Sequence, residues 1–252
     1  MIDLLSYMYQ CLLYQINNAA SESMFYDTQI YKNISRLINL IGYHPKGITP
    51  SRATFYLEND IDNSKSNTFI PKYSYIDTGL VDKMGNKIYY SITEKSGFKI
   101  TNDEIQEFQL TNGKWKLYPT VFTATGSDYE QFETTIGSDI ENGKYCASDM
   151  IDVYVLDPDE ESENGFKQWE RTDYEIFTNN TSNALDFSTI YTNNSEIFSV
   201  KLDENKNYVI KFGNGTTGKK LKAGSQIYVF YLDTNGLNGE ISIDSVPRAN
   251  KL

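Results

Sequence analysis

One segment has the spacing of a known chemical motif, Gly213-Asn214-Gly215-Thr216-Thr217-Gly218-Lys219-Lys220. Its G-x-x-x-x-G-K order is that of a phosphate-binding loop, and it follows a strand-like run. Such a loop needs a Ser or Thr after the lysine to hold magnesium, and Lys220 stands there. It also needs a helix next, because the helix N-terminus supplies the amides and the dipole. Gly224 and the strand-like run Ile227-Tyr228-Val229-Phe230-Tyr231 follow instead. Phe212, Gly213, Asn214, Gly215 and Gly218 are therefore expected to form a structural turn. Asn214-Gly215 would reverse the chain, and Gly218 and Gly224 would frame a hairpin or loop.

Other polar residues carry less. An EF-hand loop starting at Asp157 needs glycine at its sixth position and glutamate at its twelfth, where the chain has Ser162 and Gln168. A loop starting at Asp60 puts Lys65 in the glycine position. Both segments read as solvated loops. His44, the single histidine, follows a helix stop in Gly42-Tyr43-His44-Pro45 and reads as a turn residue. Zinc needs several His or Cys ligands, and His44, Cys11 and Cys146 are scattered. Both cysteines are expected to be reduced and packed. Acidic residues are plentiful, but no pair stands out for glycoside hydrolysis. No catalytic residue, cofactor or metal is expected.

The elements around these residues set the fold class. The chain has 252 residues, 39% of them apolar, enough for one large packed domain or two small ones. With 23 basic and 34 acidic residues its net charge is −11, which gives no general attraction for nucleic acid or an anionic membrane. No apolar run reaches the roughly 18 residues of a membrane span. The first residues, Met1-Ile2-Asp3-Leu4-Leu5, lack the basic start and cleavage site of a secretory signal.

Residues 1–46 read as helical. Leu4, Leu5, Met8, Leu12, Leu13 and Ile16 recur at three- and four-residue spacing, which makes one apolar stripe. A second helix is expected to start near Asp27 or Thr28 as its cap. Its stripe is Ile30, Ile34, Leu37, Ile38 and Ile41, and Gly42 and Pro45 stop it. Each such side chain is worth roughly 1.5–3 kcal/mol when buried, so the stripes need a partner surface. From Ile48 the period changes to two. Strands are expected near Ala53–Leu57, Tyr73–Asp77, Lys87–Thr93, Gln106–Leu110, Tyr118–Ala124, Ile151–Leu156, Tyr208–Phe212 and Gln226–Leu232. Ile151–Leu156, mostly apolar, should be central. Asn112-Gly113 is a hairpin signal. The expected class is α+β: an N-terminal helical pair, then a mainly antiparallel β domain over 47–245 and a tail over 246–252.

Two groups of motifs, in this order, carry a resemblance. The first is Asp3-Leu4-Leu5-Ser6-Tyr7, Glu22-Ser23-Met24-Phe25-Tyr26-Asp27-Thr28, Leu40-Ile41-Gly42-Tyr43-His44-Pro45 and Thr49-Pro50-Ser51-Arg52-Ala53. The second is Ile210-Lys211-Phe212-Gly213-Asn214-Gly215, Gly218-Lys219-Lys220-Leu221, the run from Gly224 to Tyr231, Asn235-Gly236 and Gly239. The chain resembles the baseplate J-like family, and within it the inner-ring wedge proteins of T4-type contractile phage tails. The resemblance spans residues 3 to 240 and is thin in the middle.

It implies a structural protein of the virion tail baseplate, present in host cytoplasm during assembly. N-terminal helices of that family bundle with those of neighbouring subunits at the heart of each wedge. Wedges then join in an inner ring around the hub. The implied partners are other wedge subunits, including a second copy of this chain, with hub and sheath-initiating proteins beyond. Inner-ring proteins of that family are much longer and dimerise through a C-terminal part. Ring closure is thus expected to fall to another protein, unless this chain is a shorter relative or a fragment. A different reading of the Tyr- and Phe-rich β region is a carbohydrate- or receptor-binding module of a tail fibre.

Overall fold

The computed structural model describes residues 2–24, 29–40, 47–58, 69–100, 105–116, 120–134, 141–159, 166–172, 192–203 and 207–242. Helix α1 spans Ile2–Glu22. No Gly or Pro interrupts it, so nothing breaks its hydrogen-bond ladder. Helix α2 spans Tyr31–Leu40. Its start lies later than the sequence suggests. The Ile30 carbonyl accepts from the amides of Asn33 and Ile34, at 2.9 and 3.0 Å. The Glu22 carboxylate accepts from the amides of Gln29 and Ile30, both at 3.2 Å, and from the Asn33 side chain at 3.1 Å. A carboxylate from the end of α1 thus holds the residues just before α2, while Asp27 and Thr28, expected as caps, lie outside the described residues. Ile30 precedes the helix instead of lying on it.

The rest is an α+β arrangement of mainly antiparallel sheets. The smaller sheet has the order β1-β6-β4-β3: Arg52–Glu58, Ile105–Asn112, Lys87–Ser91 and Tyr75–Val81. A two-stranded ribbon pairs β2 (Phe69–Ile70) with β5 (Phe98–Lys99). Ile88, Tyr90, Ile92 and Leu110 make the buried core on the small sheet, with Ala53, Phe55 and Phe108 against it.

The larger sheet has the order β7-β14-β10-β11-β12-β13-β9, with β8 also on β14. Its strands are β7 (Lys114–Trp115), β8 (Thr120–Thr123), β9 (Gln131–Thr134), β10 (Tyr145–Leu156), β11 (Phe166–Thr172), β12 (Ile197–Leu202), β13 (Tyr208–Phe212) and β14 (Gln226–Thr234). Among the described strands only β11 and β12 pair in parallel. Strand β10 lies between β14 and β11, and its alternating Ile151, Val153 and Val155 turn one face into the core. The sheet curls around one core. Phe122 of β8 and Phe132 of β9 meet across it with ring centroids 5.0 Å apart, and Trp169, Phe198 and Phe212 fill the centre.

Asn112-Gly113 is not a hairpin. Strand β6 ends at Asn112 in the small sheet, and β7 begins at Lys114 in the large one, where it pairs β14. The two residues are the step from one sheet to the other. Gly113 has φ 132°, and a Cβ there would lie 2.7 Å from the Asp233 carbonyl oxygen. Glycine is needed for close passage, not for a reversal. The segment entering from the helices is fastened to both sheets. The Ile48 amide donates to the Tyr208 hydroxyl at 3.3 Å, and its carbonyl accepts from the Ser148 amide at 2.9 Å. The Ser51 carbonyl accepts from the Asn112 amide at 2.8 Å. Gly47 lies so close to the Tyr208 ring that no side chain fits.

Candidate functional site

The helical stripes are the first candidate. Every residue from 6 to 20 of α1 is exposed. Met8 is 59% exposed, Leu12 54% and Ile16 54%. Nothing described in the chain covers either side of this helix, which at 1.5 Å per residue runs about 30 Å. Leu4 and Leu5 lie on α1, but their side chains are outside the described part. In α2, Ile34, Leu37 and Ile38 are half-buried, Ile30 before it is exposed, and Ile41 lies outside the described residues. The apolar face also holds Tyr9, which the three-four spacing passed over, while Tyr7 and Tyr14 stand exposed on the opposite side of the helix. Tyr9, Leu12, Ile16 and Ala19 continue a three-four alternation, the spacing used in coiled-coil seams. Cys11 is exposed on the same helix, contrary to the packed thiol expected from sequence, because α1 packs on nothing described.

The late turn holds no phosphate site. The Thr216 and Thr217 amides both donate to Asn214 Oδ1 at 2.9 Å, and the Gly215 amide donates to the Gly218 carbonyl at 3.0 Å. Each lysine is claimed by carboxylates. Lys219 pairs with Glu196 at 2.8 Å and with Asp157 at 3.5 Å, and Lys220 pairs with Asp128 at 2.6 Å. No helix follows. The turn is a loop, not a hairpin, since β13 and β14 are not neighbours. Gly213 abuts the Gly218 carbonyl, where a Cβ would come within 2.4 Å, and Gly218 has φ 80° against Ile197. Phe212 is fully buried in the core. The hydrogen bonds of the segment are local to it and to its neighbouring carboxylates.

Two polar clusters were not legible in sequence. In the first, Lys72 pairs with Asp152 at 2.5 Å, and the Tyr73 hydroxyl donates to the same carboxylate at 2.9 Å. The Tyr154 hydroxyl is 2.8 Å from that of Tyr73, and Gln168 donates to Asp152 at 3.3 Å. Tyr73 has φ 76°, a left-handed backbone rare for an aromatic residue. Burial, then the Tyr154 hydrogen bond and the Asp152 charge, push its pKa well above the ordinary value. A phenol so held keeps its proton and serves neither as base nor as nucleophile at neutral pH.

The second cluster joins the sheets. Asn112 Oδ1 accepts from Thr234 Oγ1 at 2.7 Å and the Asn235 amide at 3.1 Å, and its Nδ2 donates to the Tyr89 carbonyl at 3.2 Å. Asn235 Nδ2 donates to Asp82 at 2.7 Å, and Lys144 donates to Asn235 Oδ1 at 2.9 Å. Burial pushes the Lys144 pKa down against the pull of Asp233 and Asp82. Burial pushes Asp82 up, but hydrogen bonds from Asn235, Asn86 and Met84 outweigh it and hold the carboxyl below its ordinary value.

Among the described residues no three His, Cys, Asp or Glu side chains gather to hold a metal ion. Cys146 is fully buried, and burial raises its thiol pKa far above the ordinary value, so it is unreactive. His44, Asp60 and Asp62 lie outside the described residues. No described helix is long and apolar enough to cross a membrane. No family model matches this chain, and no curated protein matches it.

Proposed function

We propose that the protein is a non-catalytic structural subunit of a contractile-tail baseplate wedge, assembling through its N-terminal helices. The observation that carries this reading is the bare α1, whose apolar residues Met8, Leu12 and Ile16 are all more than half exposed. In proteins most helical stability comes from packing an apolar face, and this face has no cover among the described residues, which favours a partner. The motif order at both ends of the chain supports the baseplate assignment. In this reading the partners are other wedge subunits, including a second copy of the chain, with the hub and sheath-initiating proteins nearby. The place of action is the virion, after assembly in the host cytoplasm.

Purification of the tagged full chain from producing cells tests the reading. Other tail proteins should co-purify in stoichiometric amount, and Leu12→Asp should lose them without changing the melting of the β region. A chain recovered alone in both forms would reject it.

A second reading, a carbohydrate-binding β module, has one observation in its favour. Phe166, 43% exposed, stacks on Tyr154 with centroids 5.0 Å apart and 7° between planes. Glycan-array binding lost on Phe166→Ala would favour that reading.

A further inference from the structure

The small sheet ends in an edge that fits its own copy. Strand β1 pairs β6 without interruption over all seven of its residues, and among the described residues nothing pairs along its other side. The opposite edge, β3, is broken by a register shift between Asp77 and Val81, with Gly79 at φ 72°. The large sheet's edge β9 has four residues. Short strands and bulges are the usual protections against edge pairing, as are Lys and Pro. Arg52-Ala53-Thr54-Phe55-Tyr56-Leu57-Glu58 has no Lys, Pro or register shift, and its charges stand only at its two ends.

The phase of the free backbone groups follows from one bond. The Asn112 amide donates to the Ser51 carbonyl, which extends the β1–β6 register by one hydrogen-bonded pair. Alternation then turns the backbone groups of Ala53, Phe55 and Leu57 toward β6. Those of Arg52, Thr54, Tyr56 and Glu58 face the open side. An antiparallel copy centred on Phe55 uses all four. It sets Arg52 against Glu58 of the second copy, and Thr54 against Tyr56. No other register pairs the whole strand, and this one places opposite charges at both ends. The Arg52 guanidinium is well exposed, with one 3.5 Å contact to Asp149.

We propose that β1 is an isologous pairing edge, through which two copies of this chain join their small sheets into one continuous sheet. The proposal goes beyond the helical assembly proposed above and uses none of its residues. Register-specific disulfide capture tests it in the full chain carrying Cys11→Ser. Hydrogen-bonded antiparallel partners have Cα atoms about 5.5 Å apart, within disulfide reach. A mixture of Thr54→Cys and Tyr56→Cys chains should oxidise to a linked dimer. Either variant alone places its thiols two residues out of register, beyond the roughly 7 Å limit, and should give at least tenfold less. The mixed dimer should persist when both chains also carry Leu12→Asp. Absence of the mixed dimer, equal yield from single variants, or its loss with Leu12→Asp would each overturn the proposal.

Discussion

At the scale of single residues, the two polar clusters hold positions that apolar packing alone would leave loose. Tyr73 adopts a backbone that costs of order 1–3 kcal/mol for a non-glycine residue, and its hydroxyl bonds help to hold it there. Tyr73→Phe removes those bonds and leaves Asp152 with Lys72 and Gln168. A loss of about 1–2 kcal/mol is expected, read from urea unfolding. The Asn112 side chain makes three hydrogen bonds, two of them buried. Asn112→Ala strands the Asn235 amide and opens a gap, so about 2–4 kcal/mol should be lost in the same measurement.

The depressed pKa of Asp82 fixes a pH dependence. A group whose folded pKa lies below its unfolded value contributes stability above the unfolded value, near 3.9, and loses it as pH falls through the folded value. Melting temperature should therefore drop on acidification below about pH 4, and Asp82→Asn should lessen the slope there. An unchanged slope would remove Asp82 from the joint's energetics.

At the scale of elements, local pattern and pairing partner carry different information. Helix α1 was legible because its apolar spacing and lack of breakers are local facts. The period-two run at Ala53-Phe55-Leu57 and the apolar run at Ile151–Leu156 were legible for the same reason. Asn112-Gly113 was misread because the dipeptide reports only a permissive backbone. Whether the chain reverses there depends on Asp233, which is more than a hundred residues away in sequence. The Glu22 contact to the start of α2 gave no signal either, since Glu22 lies seven residues before Gln29 across an intervening segment. The sheet-joining cluster gave no signal, because Asp82, Asn112, Lys144 and Asn235 are scattered along the chain. Gly113→Ala tests the switch. Its Cβ would press on backbone at 2.7 Å, so a loss of about 2–4 kcal/mol is expected from thermal unfolding.

At the scale of the whole molecule, the described residues give the β region its own cores and α1 none. Native-state hydrogen exchange should show this directly. Amides of α1 should exchange orders of magnitude faster than those of β10 and β14 in the isolated chain. Within an assembly the α1 amides should become protected, and slow exchange in the isolated chain would mean that α1 already has a cover.

The anchored segment from Gly47 to Ser51 gives the molecule a mechanical character. A pull on the helices reaches the β region at Ile48 and Ser51, whose bonds run to Tyr208 and Ser148 of the large sheet and to Asn112 of the small one. Load is thus divided between both sheets at its point of entry, and Asn112 is also the residue that ties them together. Tension would bear on the joint before it could peel either sheet from its edge.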